Sequence, residues 1–130
     1  MFTIEQIKAA HAKVKSGADF PAYVQELIRL GVKSYDTFVS DGHAVYIGEN
    51  DYQKVSTAKY ETLTVANKSD ETAFKHKLKI HQQGQTNYMT FCRDAAEAGV
   101  EKWTVDMQQM TCIYYDKAGN NMLAETIPGV

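Results

Sequence analysis

The fold is decided by residues 31–47, which read GVKSYDTFVSDGHAVYI. Two runs rich in β-branched and aromatic residues, 32–39 and 43–47, flank an Asp-Gly pair, and this pattern is among the strongest short-range signals for a β-hairpin. Gly31 is typical of the left-handed residue that ends a helix. The stretch therefore predicts a helix that stops and an antiparallel pair of strands that follows it.

The same order of signals returns in residues 99–115, which read GVEKWTVDMQQMTCIYY. Identical pairs are Gly31/Gly99, Val32/Val100 and Tyr46/Tyr114, and aromatic pairs are Phe20/Tyr88, Tyr23/Phe91 and Tyr35/Trp103. We predict an internal duplication, over about residues 3–66 and 69–127, inside a single domain of residues 1–130. The alternative is that two helix-glycine-strand units look alike because the same stop signal punctuates both.

Helix signals precede the strands of each half. Thr3 and Gln6 have the spacing of a capping box, residues 16–17 (Ser-Gly) predict the end of the first helix, and Thr86 is a candidate cap for the fourth. Residues 63–66 (LTVA) resemble a short strand. We therefore predict an α+β fold, a duplicated α-α-β-β unit that forms an antiparallel sheet with helices packed on one face.

Composition and charge narrow the class of protein. The chain has 130 residues, a net charge of −2 and a pI of about 6.1, which does not favour binding to nucleic acid or to an anionic membrane. The N-terminus lacks the pattern of a signal peptide, and no stretch has the length of a membrane span. Cys92 and Cys112 are far apart and resemble no metal pair. We expect a cytoplasmic protein with no cofactor, metal, nucleic-acid or membrane partner.

Catalytic motifs are not recognisable, and the sequence contains no phosphate-binding loop, nucleophile elbow or zinc-protease helix. His76 and His81 lie five apart and point about 140° apart on a helix, so they do not chelate one metal ion. His43 has the most site-like position because it follows a hairpin turn. We predict no catalytic or metal-binding residue. The alternative is a small enzyme with a site between the two halves, in which His43 acts with Asp41 or Asp106.

Aromatic side chains are the most prominent bulk feature, with 8 tyrosines and 1 tryptophan. Packing in the core would explain them. Both faces of the strands look apolar, however, and helices cover only one face of such a sheet. The other face must be covered by residues 52–66, a partner subunit or a ligand. We therefore predict a ligand- or partner-binding surface, with the candidate residues Tyr35, Asp41, His43, Tyr46, Trp103 and Tyr114.

This surface favours a non-catalytic soluble binding or regulatory protein. Its partner would be a second copy, which makes a homodimer, or an unidentified protein. A phage structural component is a further alternative, and it predicts large assemblies.

Several runs together resemble one family. They are residues 2–7 (FTIEQI), 17–21 (GADFP), 37–42 (TFVSDG) and 114–120 (YYDKAGN). The chain is similar to a bacterial and prophage family of small proteins that often carry the label "phage envelope protein". The resemblance implies a compact α+β fold and an association with prophage genomes, and it implies no activity, cofactor or catalytic residue. An envelope location conflicts with the missing signal sequence and span.

Overall fold

A computed structural model describes residues 1–15 and 19–128. In these residues the chain forms four α-helices and one six-stranded antiparallel sheet, which confirms the predicted α+β class. The helices are α1 (Ile4–His11), α2 (Phe20–Leu30), α3 (Glu71–Gln82) and α4 (Tyr88–Glu97). The strands are β1 (Ser34–Phe38), β2 (Ala44–Ile47), β3 (Gln53–Val55), β4 (Val100–Asp106), β5 (Thr111–Asp116) and β6 (Asn121–Thr126). The first helix, predicted to continue to residues 16–17, ends at His11 instead, because the N–H groups of Lys13 and Val14 bond only three residues back, to Ala10 and His11. Residues 16–17 themselves lie outside the described residues.

Side-chain caps decide where the helices begin. Thr3 and Gln6 form the predicted capping box, in which the Gln6 N–H donates to the Thr3 hydroxyl at 3.2 Å and the Thr3 N–H donates to Gln6 Oε1 at 2.9 Å. The cap of α4 is Asn87 rather than Thr86, because Asn87 Oδ1 accepts the backbone N–H of Thr90 at 2.8 Å. None of the helices in the described part of the chain is long and apolar enough to cross a membrane.

The strand order is β3-β2-β1-β4-β5-β6, so the first strands of the two halves pair at the centre of the sheet. In the two hairpins, Tyr35 lies opposite Tyr46 and Trp103 lies opposite Tyr114, as the alignment of the halves requires. The central register is symmetric too, because Tyr35 pairs with Val105 and Thr37 with Trp103. This arrangement is consistent with a duplication, which stays a prediction.

The core lies between the helices and one face of the sheet. Tyr23 of α2 contacts Tyr35 with ring centroids 6.5 Å apart, and Phe74 of α3 contacts Tyr114 at 4.8 Å. Phe91 of α4 contacts Trp103 at 5.8 Å. Burial of these large rings is the main source of stability, since the hydrophobic contribution grows with the apolar area removed from water.

The segment that joins β3 to α3, residues 56–70, is here named the β3–α3 loop. The strand predicted at residues 63–66 is wrong, because the backbone N–H groups there bond elsewhere than to a neighbouring strand. The N–H of Leu63 donates to the carbonyl of Ser40 at 2.6 Å, and that of Ala66 donates to Ala96 in α4 at 2.9 Å. The loop therefore connects the first hairpin to the helices of the second half.

His81 gives the fold a pH dependence that can be measured. Its ring stacks on Phe91 at 4.5 Å, and burial lowers the pKa of His81 from the usual 6.5. As the pH falls below 6.5, the unfolded chain binds the proton first, so the free energy of unfolding decreases. We expect a shallower dependence of that free energy on pH, between about pH 7 and pH 5, in His81→Gln. Urea titrations at several pH values measure it.

The control is His76→Gln, since His76 is exposed on the same helix. We expect this variant to keep the wild-type slope. If the free energy of unfolding of His81→Gln depends on pH as steeply as that of the wild type, His81 binds its proton as readily in the folded chain as in the unfolded chain.

Candidate functional site

A cleft of about 370 Å³ opens where the two halves meet. Its lining comes from α1, β2, the β3–α3 loop and the first turn of α4. Its lining residues are Ile4, Ile7, Lys8, His11, Ala12, Tyr46, Ser56, Lys59, Tyr60, Tyr88 and Met89. The volume falls within the range of small-molecule sites, and the lining is apolar and aromatic with a few polar groups, which is typical of such sites.

The contribution of α1 follows from its helical period. Ile4, Ile7, Lys8 and His11 recur at the spacing that brings side chains onto one face of a helix. Ile7 reaches into the core, whereas Lys8 and His11 are exposed at the rim of the cleft. One helical face therefore supplies both apolar surface and positive charge.

The β3–α3 loop is fixed by the turn of the first hairpin. The backbone N–H of Lys59 donates to the carbonyl of Asp41 at 2.8 Å, and the Tyr60 hydroxyl donates to the carbonyl of Val39 at 2.6 Å. Gly42 permits this approach, because a Cβ at Gly42 would lie 2.7 Å from Cε2 of Tyr60. The Asp-Gly turn predicted from the sequence thus positions two side chains of the cleft.

Phenols and one thiol meet below the cleft. Cys92 of α4 is fully buried, and its thiol lies near the phenols of Tyr60 and Tyr88. Burial raises the pKa of the Cys92 thiol and of both phenols. The thiol is therefore protonated near neutral pH, and a protonated buried thiol is a poor nucleophile. This cluster provides hydrogen-bonding groups rather than an activated nucleophile.

Two lysines and a histidine lie at the mouth of the cleft. Burial and the charge of Lys59 lower the pKa of His11. Burial, with a smaller contribution from Lys8, likewise lowers the pKa of Lys59, although the nearby Cys92 opposes this. The three groups, Lys8, His11 and Lys59, thus lie close enough to affect one another.

Of the residues predicted to bind a ligand or partner, the four aromatic ones lie on the face that the helices cover. Tyr35, Trp103 and Tyr114 pack in the core and are 5%, 8% and 7% exposed. Tyr46 is 4% exposed, and it also lines the cleft. The structure therefore brings one of the four to the cleft, and a binding role for the others stays a prediction.

Asp41 and His43 lie together at the hairpin turn, outside the cleft lining. Asp41 Oδ1 contacts His43 Nδ1 at 2.5 Å and accepts the backbone N–H of His43 at 3.0 Å, and that backbone bond lowers the pKa of Asp41. The His43 ring stacks on Phe38 at 4.5 Å. Asp106 lies opposite Ser34, at the other end of β1, about 13 Å away along the strand. Asp41, rather than Asp106, is thus the carboxylate that contacts His43.

The opposite face of the sheet carries half-buried apolar side chains interspersed with charge. Lys102 lies over the rings of Phe38 and Tyr115, at 5.8 and 5.7 Å, and 3.8 Å from Asp36. The β3–α3 loop bonds to α4 through Ala66 and lines the cleft through Ser56, Lys59 and Tyr60, and cover of this face by residues 52–66 stays a prediction. Binding of a second copy or another protein there stays a prediction.

No metal-binding group is evident in residues 1–15 and 19–128, where no three His, Cys, Asp or Glu side chains lie together. No motif predicted that Ser56, Lys59 and Tyr60 would line a cleft, since they follow a three-residue strand in an irregular loop. The helical period of α1 was the one available signal, because it aligns Lys8 and His11 with Ile4 and Ile7.

Comparison with known proteins places the chain in a family. Residues 8–126 match the family described as "Protein of unknown function (DUF1398)". The chain belongs to this family. The DUF1398 match spans both halves, including the cleft residues from Lys8 to Met89. It agrees with the resemblance to a family of unknown function, while the association with prophages stays a prediction.

Mycobacterial proteins are among the relatives of this DUF1398 chain. Uncharacterized protein Rv2012 of Mycobacterium tuberculosis (strain H37Rv) and Uncharacterized protein Mb2035 of Mycobacterium bovis are each 29% identical to it over 99 residues. The match covers 74% of this chain and 59% of each relative. The chain thus spans about three fifths of the length of these curated relatives.

Proposed function

We propose that the protein is a non-catalytic binding protein whose small-molecule ligand occupies the cleft between the two halves. The observation that carries this proposal is the cleft of about 370 Å³, with apolar walls and a few convergent polar groups. Its borders are contributed by α1, β2, the β3–α3 loop and α4, so ligand binding would connect the halves. A regulatory role would follow from such a connection.

The walls support a ligand with an apolar body. Ile4, Ile7 and Met89 provide aliphatic surface, and Tyr46 and Tyr88 provide ring faces. Aromatic rings bury a large area and keep a polar hydroxyl for orientation. The Cys92 thiol is protonated, and His43 does not line the cleft. Both observations favour binding over catalysis.

Narrowing the cleft tests this proposal. Ala12 is exposed at the rim, so Ala12→Trp adds an indole there without disturbing the core. We expect the uncharged dye N-phenyl-1-naphthylamine to bind the wild type with enhanced fluorescence. The variant should bind the dye about tenfold or more weakly, since the indole occupies apolar space that the dye needs. Fluorescence titration measures both affinities.

Ala124→Trp is the matched control, because Ala124 is an exposed alanine on β6. It should bind the dye as the wild type does. Equal affinity in both tryptophan variants, or no dye binding to the folded wild type, would reject the cleft as the site. Native mass spectrometry of the purified protein would then identify a ligand that copurifies.

A proton-transfer role for His43 is the second candidate, and the 2.5 Å contact with Asp41 favours it. A carboxylate bonded to one ring nitrogen orients the imidazole and leaves the other nitrogen available. Hydrolysis of p-nitrophenyl acetate tests it. A rate that exceeds that of free imidazole, and that His43→Gln abolishes, would support catalysis. A rate no higher than that of imidazole would reject it for ester substrates.

A further inference from the structure

We infer that the ligand of the cleft is an amphipathic organic anion, with its charged group at Lys59 and Lys8 and its apolar body against Ile4, Ile7 and Met89. This inference rests on the proposed function, and it adds the chemical class of the ligand. It follows from the two lysines that line the cleft and from the absence of a carboxylate beside them among the residues that the structure describes.

The cleft brings two lysines together without a carboxylate. Lys8 comes from α1 and Lys59 from the β3–α3 loop, so two separate elements direct an ammonium group to one mouth. No aspartate or glutamate is present among the described residues of the lining. Basic side chains that converge from different elements repel one another, and an anion between them removes that repulsion.

Neither lysine has an acidic partner in the part of the chain that the structure describes. Elsewhere, lysines do find carboxylates: Lys13 lies 3.0 Å from Glu26, and Lys33 lies 3.3 Å from Glu49. Lys8 and Lys59 have no such oxygen within the 4 Å of an ion pair, although acidic residues outnumber basic ones by 16 to 14. Other exposed lysines of the described residues, Lys75 among them, also have none, so the cleft differs in bringing two such lysines together beside apolar walls.

Although its side chain is exposed, Lys59 is a more favourable site for an anion than an open surface. The ammonium group loses part of its hydration, which lowers its pKa, and a carboxylate or sulfonate within reach would offset that loss. Hydrogen bonds to a charged partner are also stronger than those between neutral groups. The aliphatic and aromatic walls explain why the anion would carry an apolar body rather than be a free inorganic ion.

Two dyes that share a skeleton test the inference. 8-Anilinonaphthalene-1-sulfonate carries an anionic group, and N-phenyl-1-naphthylamine is its uncharged counterpart. We expect Lys59→Met to weaken binding of the sulfonate about tenfold and to leave the neutral dye unchanged. Lys75→Met is the control, because Lys75 is exposed on α3 and does not line the cleft. It should change neither affinity.

The outcomes separate the two proposals. If neither dye binds the folded protein, the small-molecule cleft itself is rejected. If both dyes bind equally well and Lys59→Met changes neither affinity, the anionic class is rejected and the apolar cleft stands. If Lys59→Met and Lys75→Met weaken the sulfonate equally, its binding reflects overall charge, and the inference fails.

Discussion

Phe74→Ala should lower the free energy of unfolding by about 3–5 kcal/mol, the largest effect that we expect from a single substitution. Phe74 of α3 has no exposed surface, and its ring lies 4.8 Å from that of Tyr114 and 6.0 Å from that of Phe91. Removing the ring deletes apolar contacts and leaves a cavity between α3, α4 and the sheet. Urea denaturation followed by circular dichroism measures the loss.

Phe38→Ala is the control for Phe74→Ala. Phe38 is half-buried on the opposite face of the sheet, where it stacks on His43. Removal of the Phe38 ring exposes less new surface and leaves no enclosed cavity. The free energy of unfolding should therefore fall clearly less than in Phe74→Ala. Equal costs for the two substitutions would contradict the conclusion that the core lies between the helices and one face of the sheet.

Gly99→Ala should destabilise the protein more than Gly31→Ala does, although both glycines end a helix at aligned positions. Both have left-handed backbones, with φ of 98° at Gly31 and 88° at Gly99, so alanine costs about 1–2 kcal/mol at either position. A Cβ at Gly31 would meet no atom within 4 Å, whereas one at Gly99 would lie 2.8 Å from the Lys68 carbonyl oxygen and from Ser69 Cα. That overlap should add about 1–3 kcal/mol.

The overlap at Gly99 cannot relax easily, because backbone hydrogen bonds fix the β3–α3 loop on both sides of the contact. Ala66 donates to Ala96 at 2.9 Å, and Asp70 donates to Ala98 at 2.8 Å. Comparing the unfolding free energies of the two variants isolates the steric contribution, since the conformational cost is shared. If the two glycines tolerate alanine equally, the loop does not pack against Gly99 as described.

Local signals predicted the secondary structure well where the responsible atoms are close in sequence. The capping box of Thr3 and Gln6 and the Asp41-Gly42 hairpin were both predicted, since each depends on contacts within a few residues. Residues 63–66 were predicted as a strand because they are apolar and β-branched, but β3 occupies the edge of the sheet. The loop instead bonds to residues of both halves, which a local pattern cannot show.

The candidate site was less predictable than the fold. Tyr46 was recognised, yet its three aromatic companions were expected on a binding surface and lie in the core. The alternation of a strand shows which residues share a face, but it does not show which face the helices cover. The basic groups of the cleft, Lys8 and Lys59, are far apart in sequence, so no spacing rule relates them.

The sequence by itself determined the α+β class, the hairpins and the cap of the first helix, because those depend on hydrogen bonds and side-chain periodicity within short stretches. Only the tertiary structure decided that β1 and β4 meet at the centre of the sheet and that the β3–α3 loop joins the two halves. The cleft depends on that loop, since Lys59 and Tyr60 reach it through bonds to the distant turn at Asp41. Its charge is thus a property of packing between distant residues, which no local pattern encodes.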